Sequence, residues 1–164
     1  MSIRPIIQYG DPVLTAPATH LPTGAELATL VQDLLDTVAA HQGLGLAAPQ
    51  IGVPARVLVA QVGAIMTPFI DTKIISQTGR VLAEEGCLSL PELRATVPRA
   101  EIIELYFRDA QGVVQTQSFS GWTARIIQHE HDHLDGVLYL DRINPIQRSQ
   151  LVRKWQLNNR RQGR

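Results

Sequence analysis

Cysteine is almost missing from this chain: 164 residues contain one, Cys87. A single thiol excludes an internal disulfide, so the sulfur must be either an inert buried side chain or a ligand. Long apolar runs are missing too. No stretch approaches the ~18 apolar residues that span a bilayer. The start, Met1-Ser2-Ile3-Arg4-Pro5, has neither the apolar run nor the small-residue cleavage site of a secretory signal. The expectation is a cytoplasmic protein, or an organellar one whose targeting segment has been removed, with no membrane partner. Net charge is absent as well, but unevenly so. Residues 1–141 carry eight basic and fifteen acidic side chains, and residues 142–164 carry seven basic and none acidic. A basic tail of this kind suits a polyanion such as RNA, and equally suits a solvated terminal helix.

What is present, 45% hydrophobic residues in a chain of this length, builds one core and is too short for two ordinary domains. A single domain over 1–164 and a monomer are expected. Thr23-Gly24-Ala25-Glu26 has the form of a capping box, and Leu27, Leu30, Val31, Leu34, Leu35 and Val38 follow at helical spacing, which predicts a helix near 24–41. It runs out in His41-Gln42-Gly43-Leu44-Gly45, where two glycines permit unusual backbone angles or close approach. Arg56–Val62 and Glu101–Phe107 read as strands, and Asp109-Ala110-Gln111-Gly112 turns the second into Val113–Phe119. Gly121–Leu134 keeps helical spacing and stops at Asp135-Gly136. Asn144-Pro145 opens a last, basic helix at about 145–160, with Leu151, Val152 and Trp155 on its apolar side. Strands between helices without βαβ alternation predict an α+β fold.

His129-Glu130-His131-Asp132-His133 matches His-Glu-x-x-His. On a helix the first and last histidines lie on one face, where both reach one metal, while His131 points roughly the other way. Glu130 stands beside the pair, placed to take a proton from water and return it to a leaving group. Solvated polar side chains on an amphipathic helix are the alternative, but Trp122 to Ile127 reads as apolar enough to be buried. A catalytic metal needs a third protein ligand. Tyr139 stands where a metzincin would place its third histidine, and no glutamate follows Glu130 to complete a thermolysin-like set. Asp135 and Asp141 remain downstream, at a helix end and in a loop. The strongest candidate lies upstream in Glu84-Glu85-Gly86-Cys87-Leu88-Ser89-Leu90-Pro91, where Cys87 would complete a Cys-His-His site with one open position.

Three segments, Gly43-Leu44-Gly45-Leu46-Ala47-Ala48-Pro49-Gln50, Glu85-Gly86-Cys87-Leu88-Ser89 and Gln128-His129-Glu130-His131-Asp132-His133-Leu134, resemble the signature motifs of peptide deformylases, in that family's order. The likeness extends through Tyr9–Leu14, Val97–Ala100 and Gly136–Ile143, with the last twenty or so residues least diagnostic. It implies a single α+β domain with antiparallel or mixed strands around a central metal-binding helix. The implied activity is removal of the formyl group from the N-terminal formyl-methionine of nascent polypeptides. The resemblance further implies one divalent ion held by Cys87, His129 and His133, with Fe(II) native and Zn(II) able to occupy the site. Glu130 would be the proton shuttle, and the Gln50 side-chain amide with the Leu88 backbone N–H would face the oxyanion. Gly43 and Gly45 would admit the substrate backbone, and Leu44, Leu88, Trp122 and Ile126 would line a methionine pocket. Glu85 and Arg99 would form a pair that binds substrate or supports the ligands, unless they are an ordinary surface ion pair. Trp122 looks more like organelle-type members than the commonest bacterial form. The basic helix would dock on the ribosome, as similar tails are thought to do. One departure stands out: Ala64–Phe69 lies where many members have Ile-Asn-Pro, which bears on the substrate groove there.

Overall fold

The computed structural model describes residues 2–161. Helix α1 covers Gly24–Ala40, close to the predicted span. The capping box does not form. Thr23 is the N-cap but makes no side-chain cap bond, and Glu26 instead meets His20 at 2.7 Å. Both side chains are in solvent, so water can satisfy the first-turn N–H groups.

Strand β1 (Gly45–Ala47) precedes β2 (Val57–Val62), which matches the predicted 56–62. Val57 to Ala60 are all buried because β2 is covered on both faces. Val57 and Val59 pack with Leu30, Leu34 and Val38 of α1, whereas Leu58 and Ala60 face Ala124, Ile127 and Leu134 of helix α2 (Gly121–Leu134). A strand between two layers needs an unbroken apolar run, not an alternating one.

The sequence reading did not identify β3 (Ile65–Thr78), β4 (Val81–Cys87) or β5 (Leu90–Arg99). In β3 the alternation is broken by Pro68, by a positive φ of 52° at Asp71 and by two register shifts against its neighbour. In β5 the inward set Leu93, Ala95 and Val97 does alternate, but Glu92 (φ 66°) displaces it from Leu90. Strands β6 (Ile102–Arg108) and β7 (Val114–Ser120) form the predicted hairpin. The sheet runs β1-β2-β3-β6-β7, antiparallel throughout, and β4-β5 form a separate hairpin.

Helix α2 lies between these two layers. Its apolar residues pack on the five-stranded sheet, and its polar ones meet the β4-β5 hairpin. It ends in a Schellman motif: Val137 N–H bonds Asp132 O at 2.9 Å, Gly136 N–H bonds His133 O, and Gly136 takes φ 72°. Helix α3 (Pro145–Arg161) has no buried residue. It starts under the predicted cap, with Asn144 Oδ1 accepting from Ile146 N–H at 2.9 Å, and rests on the hairpin through Leu151, Val152 and Trp155. Arg164 of the basic tail lies outside the described residues. Among those described, no helix is long and apolar enough to cross a membrane. The α+β arrangement around α2 is the one expected.

Candidate metal centre and active site

The register of β4 against β5 shifts at Gly86 and Cys87, which aims Cys87 from the hairpin end at α2. Its Sγ lies 3.4 Å from His133 Nε2, and one donor atom from each of Cys87, His129 and His133 falls within 4.8 Å of the others. Residues 87 and 133 meet because the hairpin folds across the helix. A thiol with two imidazoles and an open side is a donor set for a first-row divalent ion.

The electrostatics fit a cation. Burial alone would lower the His129 pKa, but hydrogen bonds to Cys87 and Glu85 together with the charge of Glu130 raise it well above the ordinary value. Burial and then the neighbouring His129 hold His133 well below it. Positive charge is thus favoured at this point, and the two rings do not share it. His133 Nδ1 is buried with no partner among the described residues. His129 Nδ1 is tied to Glu85 Oε2 at 2.9 Å, which leaves Nε2 toward the sulfur and fixes the ring.

Glu130 is buried, and burial pushes its pKa up to about 7. Its Oε2 has no hydrogen-bond partner among the described residues. A Cβ on Gly45 would come within 2.7 Å of Glu130 Oε1 and Cγ, and one on Gly43 would come within 2.9 Å of Val38 Cγ2. Both glycines therefore serve close approach; the positive φ in this loop belongs to Gln42, at 54°. Gln50 is held by Ala47 N–H, which donates to its Oε1 at 2.9 Å, so that Nε2 turns toward Cys87 Sγ and Ser89 Oγ, each at 3.4 Å.

Cys87, His129, Glu130 and Gln50 form the floor of a pocket of about 660 Å³ whose walls include Leu44, Leu88, Trp122 and Ile126, with His133 buried beneath it. Leu44 and Trp122 are more than half exposed at its mouth. The expectation that Trp122 starts a buried run therefore does not hold: its ring lies over the Arg125 guanidinium at 5.8 Å instead. Residues 64–69 belong to the β2-β3 hairpin and do not line this pocket.

Glu85 and Arg99 are far from a surface pair. Their side chains are 5% and 3% exposed, and Arg99 Nε and Nη2 grip the two carboxylate oxygens at 2.9 and 3.0 Å. Those bonds and the contact to His129 outweigh desolvation and lower the Glu85 pKa to about 2. Arg99 does not reach the pocket; its Nη1 continues to Asp132, which Arg142 also holds. Arg125, which the sequence reading passed over, donates to Glu85 Oε1 at 2.6 Å. A signal was there, since Arg125 stands four residues before His129 and so shares its helix face. His131 is buried on the other side, with Nδ1 2.7 Å from Thr72 Oγ1, and does not join the Cys-His-His group.

The family model described as polypeptide deformylase matches residues 3–149. A peptide deformylase of Acidobacterium capsulatum is 39% identical over 160 residues, covering 94% of this chain and 94% of that one. One of Acidothermus cellulolyticus is 42% identical over 158 residues, covering 93% and 86%. Among solved structures, a peptide deformylase of Legionella pneumophila superposes with TM-score 0.91 at 35% identity over 99% of both chains. The enzyme of Thermus thermophilus superposes with TM-score 0.88 at 35% identity, over 99% of this chain and 100% of that one. Motifs, fold and the convergence of Cys87 with His129 and His133 agree with these likenesses, and the chain belongs to the polypeptide deformylase family.

Proposed function

We propose that this pocket hydrolyses the N-formyl group of N-terminal formyl-methionine on newly made polypeptides, releasing formate and a free α-amine. One observation carries the reading: the Cys87 thiol, the His129 imidazole and the Glu130 carboxylate line the floor of a largely apolar pocket, and the buried His133 imidazole converges on the thiol from behind. Cys87, His129 and His133 would hold one divalent ion. When bound, it polarises the formyl oxygen and brings the pKa of water down toward neutrality. Fe(II) is our assignment for the native ion, with Zn(II) or another divalent ion able to take its place, because thiolate with imidazole suits several first-row metals.

The chain's own residues do the rest. Glu130 accepts the proton of the attacking water and delivers it to the departing amine nitrogen; its pKa near 7 suits both directions. Gln50 Nε2 and the Leu88 backbone N–H donate to the oxyanion that develops at the formyl carbon. Leu44, Leu88, Trp122 and Ile126 receive the methionine side chain, a flexible thioether suited to irregular apolar walls. Gly43 and Gly45 leave room for the substrate backbone. Glu85 acts by holding the His129 ring, and Arg99 by holding Glu85. Turnover of matched formyl-Met and acetyl-Met peptides, followed by release of the free amine, tests the assignment. Preference for the formyl group is expected, and preference for acetyl would defeat it.

The enzyme meets its substrate where such chains are made, in the bacterial cytoplasm or an organelle of similar descent, and acts as a monomer. Arg153, Lys154, Arg160 and Arg161 of α3 offer a basic face to ribosomal RNA, with Arg148 on the side that pairs with Asp141. Removing residues 145–164 is expected to weaken ribosome binding in low salt, and unchanged binding would end that part of the proposal.

A further inference from the structure

A second cleft lies behind the catalytic pocket, between the β3-β4 turn, the end of β5 and the Gln128–Asp132 face of α2. Its volume is about 220 Å³, several times the ~30 Å³ that one water occupies. Among its lining residues are Arg80, Arg99 and Arg142, set against one carboxylate, Asp132. The surrounding charges do not cancel. Glu85 is shared by Arg99 and Arg125, and Asp132 is shared by Arg99 and Arg142. Glu101 stands at the rim against Gly79, and Asp141, which also acts on Arg142, is held by Arg148, so five arginines face four carboxylates and one positive charge is in excess.

Donor capacity is also in excess. Arg142 spends Nε and Nη2 on Asp132, so Nη1 remains. Arg99 uses three of its five N–H donors on Glu85 and Asp132. Arg80 makes no side-chain hydrogen bond or ion pair among the described residues. Two of the guanidinium groups, one buried and one half-exposed, are thus fixed by buried carboxylates, and the third is free to close over an occupant. Fixed guanidinium groups meet tetrahedral oxyanions with charge-assisted, often bidentate hydrogen bonds, and little side-chain entropy is lost when the groups are already held.

We propose that this cleft binds a phosphate-sized oxyanion, either free inorganic phosphate or the terminal phosphate of a small phosphomonoester, with Arg80 and Arg142 as its principal donors and Arg99 at its back. The site does not take part in deformylation. It lies one ion pair away from Glu85 and two contacts from His129.

The test uses the metal-loaded enzyme at fixed ionic strength, titrated with inorganic phosphate in one arm and ribose 5-phosphate in the other, and followed by calorimetry and thermal unfolding. A saturable rise in Tm with a measurable heat is expected in at least one arm, and which arm responds identifies the source. Arg80→Ser should weaken that binding roughly tenfold or more, the scale of a lost charge-assisted contact, and Arg80→Lys should retain part of it. Deformylation without added anion should be the same in all three proteins. Phosphate also stabilises proteins by exclusion from their surface, without saturation and without a site. A non-saturating rise of equal size in wild type and Arg80→Ser would therefore overturn the proposal, as would saturable binding that Arg80→Ser leaves intact.

Discussion

Helices α2 and α3 are both rich in polar residues, and the molecule treats them in opposite ways. Ten of the fourteen residues of α2 are buried, among them Arg125, His129, Glu130, Asp132 and His133, whereas α3 buries none of its seventeen. Most polar side chains on α3 have water as their partner and can change at little cost, Arg148, paired with Asp141, and Trp155, which donates to Pro91 O, being exceptions. On α2 each one needs a protein partner or a ligand, because burying it otherwise is expensive. Among the described residues two buried atoms of α2 lack a protein partner: Glu130 Oε2, beside the Cys-His-His group, and His133 Nδ1, on the ring whose Nε2 meets Cys87 Sγ.

The largest effect expected from breaking α2's surroundings is at Cys87. Cys87→Ala leaves two protein ligands, and both metal content and formate release should fall to background; full metal retention would remove the thiol from the ligand set. Next is Glu130→Ala, for which we expect the metal to remain while kcat drops by ~10²–10⁴-fold, the usual contribution of a placed acid–base group. Metal analysis alongside steady-state kinetics separates these two outcomes. Glu85→Gln keeps the shape but weakens the hold on Arg99 and His129. Metal affinity should fall by about 10–100-fold, as for other groups that orient a ligating histidine, and an unchanged affinity would make the ion pair purely structural. The counterpart on α3, Arg153→Ser with Lys154→Ser, should alter stability by no more than about 0.5 kcal/mol in chemical denaturation and leave peptide turnover untouched. A loss comparable to that of Glu85→Gln would erase the contrast between the helices.

The smallest effect lies on the β6-β7 turn. Asp109 accepts from Val113 N–H at 2.9 Å, Gln111 N–H at 3.0 Å and Gln115 Nε2 at 2.8 Å. These bonds, that to Val113 foremost, hold its pKa below the usual carboxylate value. A group with a depressed folded pKa adds stability that is fully present above the unfolded value, ~3.9 for Asp, and is lost as pH falls through the folded one. Tm measured from about pH 6 to about pH 3 should therefore decline slightly more steeply in the wild type than in Asp109→Asn; parallel curves would show that the turn does not depend on the charge.

Both helices were legible before the structure, for different reasons. The span of α2 and its metal pair follow from a helical repeat and a spacing of four, and α3 opens where Asn144 and Pro145 say it should. The ends of strands that follow simple apolar runs, β2 and the β6-β7 hairpin, were also readable to within a residue or two. What escaped depends on distant parts of the chain. Strand β3 is bent by bulges that its own alternation does not reveal, and β4 is an exposed, acidic segment that becomes a strand only by pairing with β5. The reach of Arg125 to Glu85 and of Arg142 to Asp132 is a property of the packed hairpin. The Glu85–Arg99 pair was visible as two residues, but its burial was not, since charged residues of this kind usually face water.

Cys87 has one further consequence, drawn from its solitude. Its sulfur faces the open pocket, and the chain has no second cysteine to resolve an oxidised one. Peroxide that reaches the metal-free sulfur would carry it to sulfenic acid with no intramolecular disulfide to stop the climb to the irreversible sulfinic form. Protection has to come from outside the protein, from a small thiol able to enter the pocket or from the metal that occupies the sulfur's lone pair.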